Sequence, residues 1–122
     1  MTVKIEGRHA AEFLVSEANG TRSRGTLTLK AGQNLPAGAV LELDGTGDAI
    51  AFAGDSDSVA AGILWEATDA SATGTNADTP VAAVIRDAEV NIDEISVEND
   101  DTAGTIKDAA VTSLALIGII AR

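Results

Sequence analysis

The sequence predicts a mainly β fold: a small β-sandwich or barrel-like domain with one C-terminal helix and a flexible N-terminal arm. Three observations predict it. Residues 26–30 (Thr-Leu-Thr-Leu-Lys) alternate with period two, the repeat of a strand with one buried face. Clusters of Gly, Asn, Asp and Pro then recur at intervals of about ten residues, as between short strands joined by tight turns. Near the C-terminus, Ile106, Ala110, Leu114 and Ile117 fall on one face of a helix.

The first 24 residues lack such periodicity. Ala10 and Ala11 lead into a short apolar cluster, Phe13-Leu14-Val15, and Asn19-Gly20 is a turn signal. We read residues 1–25 as an arm that is loosely held until it meets a partner, and residues 26–122 as the domain. After the strand at 26–30, Gly32-Gln33-Asn34-Leu35-Pro36-Ala37-Gly38 supplies a fixed φ at proline and free φ at glycine. Further strands are expected at 39–43, 49–53 and 60–66. The Asp44–Asp48 turn separates the first two, and Gly62 marks a bulge or a close backbone approach in the third. Residues 68–79 are polar and aperiodic and read as an exposed loop. Residues 80–85 are nearly all apolar and read as a strand buried on both faces. A turn and short strand follow at 87–92, then a solvated loop at 98–101. Thr105 is placed to cap the helix at about 106–117, Gly118 to end it, and Ile119-Ile120 to form a last short strand.

At 122 residues the chain is one domain with a small core that association would help. Phe13, Phe52 and Trp65 are its only aromatics, so Val, Ile, Leu and Ala must fill that core. There is no cysteine, hence no disulfide framework, thiolate site or cysteine nucleophile. No apolar run is long enough for a membrane span, and no signal-peptide core is expected at the start. The net charge is −11, unevenly spread. Residues 1–25 carry Lys4, Arg8, Arg22 and Arg24 against Glu6, Glu12 and Glu17, a balance of +1, which leaves −12 on the remainder. An acidic body argues against nucleic-acid binding, which relies on cations releasing counterions, and favours solubility at high concentration.

No residue set points to catalysis, a cofactor or a metal. His9 is the sole histidine and lies in the arm, where general-base geometry would not be fixed. Asp44, Asp48, Asp55 and Asp57 sit in Gly-rich loops without EF-hand ligand spacing, and turn chemistry explains them. Gly45-Thr46-Gly47 lacks the third glycine and the following helix of a dinucleotide fingerprint. Trp65 reads as core or edge packing beside Ile63 and Leu64, with an interface anchor as its other use.

Five pieces occur in a telling order. They are the strand–turn–strand at 23–41, Ala60-Ala61-Gly62-Ile63-Leu64, the strand from Val81 to Ile85, Asp87-Ala88-Glu89-Val90-Asn91, and the closing Leu116-Ile117-Gly118-Ile119-Ile120-Ala121-Arg122. Together they resemble the bacteriophage head decoration protein family over about the last four-fifths of the chain. The resemblance implies a structural, non-enzymatic homotrimer without cofactors. It would bind the major capsid protein outside the expanded icosahedral head, at threefold and quasi-threefold positions, and reinforce the shell against packaged DNA. It also implies that the arm contacts the coat protein and extends one of its sheets. Phe13, Leu14 and Val15 would be apolar anchors there, and Arg22, Ser23 and Arg24 polar and cationic contacts. The alternatives are another trimeric virion module of a tail or fibre, or a small β-rich ligand-binding or hydrolase module. The first would show a stalk or triple-stranded repeat and the second a clustered polar pocket.

Overall fold

The computed structural model describes residues 9–97 and 104–122. The loop expected at 98–101 and the first eight residues of the expected arm lie outside them.

The alternating segment forms β2 (Arg24–Leu29). It pairs antiparallel with β8 (Thr79–Val84), from Arg24 opposite Val84 to Leu29 opposite Thr79. The sheet continues through β6 (Ala60–Leu64), β4 (Val40–Leu43) and β5 (Ala49–Ala51), and β5 returns to β2 at Leu29 and Ala49. The result is a closed five-stranded barrel. Its interior holds Leu29, Leu41, Ala49, Leu64, Val81 and Ala83, and Ala39 and Ala70 belong to the same buried cluster. Closure leaves the barrel without an unpaired edge.

A second core lies against the outside of one barrel wall. β1 (Leu14–Glu17), β9 (Ala88–Val90) and β10 (Ile119–Ala121) form a three-stranded sheet, with β1 antiparallel and β10 parallel to β9. Helix α1 (Thr105–Ala115) packs beside it. Phe13, Phe52, Ile63, Ile95, Leu114 and Ile119 are the largest members of this core. The two cores share strands through the period-two alternation of the chain. Val40, Ile63 and Val84 face the outer core, while their neighbours Leu41, Leu64 and Ala83 face the barrel interior. In β8 both faces are covered only toward its end, since Pro80 and Ala82 are exposed.

Gly62 opposes Leu41 at a register shift in the β4–β6 pair. A Cβ there would come within 2.6 Å of the Val84 carbonyl oxygen, so the expected bulge and close approach coincide. In α1, Ala110 and Leu114 are buried, and Ile106 and Ile117 pack partly buried on the same core. The cap is Gly104, at φ 73°, instead of Thr105, which lies within the helix. Gly118 follows the helix at φ 83°. Besides β1, which falls within the expected arm, two short strands were not expected: β3 (Asn34–Leu35), within the Gly/Pro turn, and β7 (Thr68–Asp69), within the polar loop. They pair with each other and seat Ala70 in the barrel core.

Leu114→Ala is expected to lower unfolding free energy by about 2–5 kcal/mol, the range for truncating a buried leucine. Denaturant melts of both proteins check it, and an unchanged midpoint would mean that the helix face is misassigned.

Candidate functional site

The residues expected in the arm are joined to the body from Ala11 onward. The Ala11 N–H donates to the Trp65 carbonyl (2.8 Å), and the Asn91 N–H donates to the Phe13 carbonyl (2.8 Å). β2 runs through Thr26 without a break. Between these points β1 takes one edge of the three-stranded sheet, with β9 as its neighbour. The register shifts between Leu14 and Ser16. Val15 lies at that irregularity with 59% of its surface exposed. On β10, Ile120, opposite Glu89, is also exposed.

Phe13 is fully buried in the outer core and meets Trp65 edge-to-face, with ring centroids 6.5 Å apart and planes at 84°. The Arg24 guanidinium lies 4.1 Å from the Trp65 ring centroid. Such cation–π contacts add a modest attraction at exposed sites. Arg24 Nε also donates to Glu17 (3.0 Å). That bond holds the Glu17 carboxyl below its usual range and raises the guanidinium of Arg24. Trp65 is thus a half-buried packing residue. It opens on one side to a groove of about 200 Å³ that Glu66, Thr68, Pro80, Val81 and Ala82 also line.

Ser23 is the one buried polar residue of the described chain. Its hydroxyl donates to the Asp87 carbonyl (2.7 Å) and accepts from the Ala18 N–H (2.9 Å). It therefore clasps the ends of the β1–β2 turn to the segment before β9. Arginines gather around this clasp. Arg22 pairs with Asp87 at 3.0 Å, Arg86 donates to the Arg22 carbonyl, and Arg122 pairs with Glu89 on the sheet.

The opposite character prevails in the barrel loops. Asp44 Oδ1 accepts from the backbone of Thr46 and Asp48, and Oδ2 pairs with Lys30 at 2.8 Å. The Lys30 hydrogen bond, then that of Thr46, holds the Asp44 carboxyl far below the usual range. Asp69 similarly gathers Ser71 and Thr73. These carboxylates close turns. Among the described residues no cluster of three or more His, Cys, Asp or Glu could hold a metal, and no helix is long and apolar enough to cross a membrane.

A sequence profile for the family Bacteriophage lambda head decoration protein D matches residues 3–119, nearly the whole chain. The chain belongs to that family. It is accordingly a phage head decoration protein, of a structural family associated with the virion capsid. A search of curated proteins finds no match.

Placed against this surface, the six residues expected to meet the capsid divide. Phe13 and Ser23 are fully buried within the chain's own fold and are structural. Leu14 is half-buried against the outer core. Val15, Arg22 and Arg24 are exposed and lie together around β1 and its turn. Arg86, Arg122 and Ile120 join the same region, which sequence reasoning missed. The signal available was the final Ile119-Ile120 strand, but only its parallel pairing to β9 brings it near β1.

Phe13→Ala should cost about 3–5 kcal/mol, as for a core aromatic, whereas Val15→Ser should melt like the parent. Thermal or denaturant melts separate the two. Asp44→Asn is expected to lower stability at neutral pH. A carboxyl whose folded pKa is depressed contributes above its unfolded pKa and loses that contribution as pH falls. The gap between parent and variant should therefore shrink below about pH 4, as read from melts across pH.

Proposed function

We propose that the chain decorates the outside of the expanded head as a trimer at threefold and quasi-threefold positions. In this reading it docks on the major capsid protein through the segment leading into β2. The observation that carries it is the edge of β1, which has no partner strand besides β9 among the described residues. An unpaired strand edge offers backbone donors and acceptors to a partner strand, and here exposed Val15 and the Arg22 turn flank it. Charge also favours this face. Four of the six basic Lys/Arg side chains of the described residues, Arg22, Arg24, Arg86 and Arg122, lie around the three-stranded sheet, while acidic turns occupy the barrel loops.

The other face suits an exterior layer. Three copies carry a formal charge of −33, three times −11, which repels nucleic acid and keeps a dense coat soluble. Each contact area is modest, and repetition over one shell supplies the strength. Reinforcement against internal pressure follows from tying neighbouring coat subunits together.

Val15→Asp and Arg22→Glu should each weaken binding to expanded shells by at least tenfold, about 1.4 kcal/mol, with melting unchanged. Sedimentation with purified shells measures this, and parent-like binding by both variants would remove the β1 face from the interface. Imaging of decorated shells should show threefold occupancy; monomeric or twofold density would exclude the trimer.

A further inference from the structure

The turn between β1 and β2 carries the chain's single Asn-Gly pair, Asn19-Gly20. The pair is chemically distinctive because glycine has no Cβ to shield its backbone nitrogen or to restrict its dihedrals. Asn19 and Gly20 are both exposed, and Gly20 adopts φ 70° with no atom within 4 Å of where a Cβ would stand. Neither the Asn19 side chain nor the Gly20 N–H has a hydrogen-bond partner among the described residues. Electrophile and nucleophile are both free.

The other comparable positions are not. Asp44 precedes Gly45, but its carboxylate is held ionised by Lys30 and the turn amides, and a carboxylate is a poor electrophile. Asn91 accepts from the Asp93 N–H and precedes Ile92. Asn34 and Asn76 precede Leu35 and Ala77, whose side chains hinder attack.

We propose that Asn19-Gly20 is a site of spontaneous deamidation in the folded protein. The Gly20 nitrogen attacks the Asn19 side-chain amide carbon. A carbon–nitrogen bond forms to that carbon, the bond to the side-chain NH2 breaks, and ammonia leaves, carrying the proton that Gly20 gives up through solvent. Water then opens the cyclic imide. Cleavage at the side-chain carbonyl yields aspartate, and cleavage at the main-chain carbonyl yields isoaspartate. No oxidant or reductant takes part. Each event makes the chain one charge more negative, between β1 and Arg22. The fold tolerates it because Ser23 pins both ends of the turn, through Ala18 and Asp87, so an added backbone methylene is absorbed by exposed residues.

The test is incubation of the full-length protein in warm, mildly alkaline buffer, followed by intact mass, peptide mapping and ammonia release. A short peptide spanning residues 15–24 serves as the unfolded reference. The expected result is a gain of one mass unit confined to the Asn19 peptide. It should come with one ammonia per event, an acidic band on isoelectric focusing and an unchanged melting temperature. Asn19→Gln should abolish the mass gain and Gly20→Ala should slow it strongly. The proposal is overturned if the folded protein reacts an order of magnitude slower than the peptide, because the native turn then protects the bond. It is equally overturned if the mass gain maps elsewhere or persists in Asn19→Gln.

Discussion

Strands β4, β6 and β8 form a wall shared by two cores, and the rest of the molecule depends on it. Each strand carries adjacent buried residues that point to opposite sides: Val40 and Leu41, Ile63 and Leu64, Val84 and Ala83. A strand's period of two makes this division unavoidable. A slip of one residue would exchange the two sets and ruin both cores. A bulge beside Gly62, where the Val84 carbonyl leaves no room for a Cβ, offsets the pairing of β4 with β6 in that wall. It does so in a chain with few aromatics, where alanines at the shared strands let small side chains pack tightly.

The outer core explains why the N-terminal region is not merely attached. Phe13 reaches across to Trp65 and the helix-covered wall, and its backbone carbonyl is bonded to Asn91. β1 follows directly, so burying Phe13 also places β1 on β9. Among the described residues the far edge of β1 has no partner strand. One residue supplies stability and its neighbours supply surface, which is economical for a short segment. Ser23 performs the matching task at the other end of the turn, satisfying the Ala18 N–H and the Asp87 carbonyl where water is excluded.

Charge follows the same division. Arginines bonded around the three-stranded sheet meet their acids locally, while the acidic barrel turns use carboxylates to tie backbone amides.

The sequence by itself determined the local grammar. The alternation at 26–30, the turns at 32–38 and 44–48, the apolar segment at 80–85, the helix face of Ala110 and Leu114, and the break at Gly118 all follow from short-range periodicity and backbone preference. The family was legible in the order of those pieces. Tertiary structure decided the rest, because it depended on partners distant in the chain. β1 has too few residues for a pattern of its own and exists by pairing with β9. β3 and β7 are each two residues long and hold only each other. Phe13-Leu14-Val15 reads as one apolar cluster, yet Phe13 is buried, Leu14 half-buried and Val15 exposed. Strand direction and the neighbouring core assign those fates, and no local signal distinguishes the three. The arginines of the sheet are likewise scattered along the chain from Arg22 to Arg122. Arg122 comes to the sheet only because a parallel strand returns the C-terminus to β9.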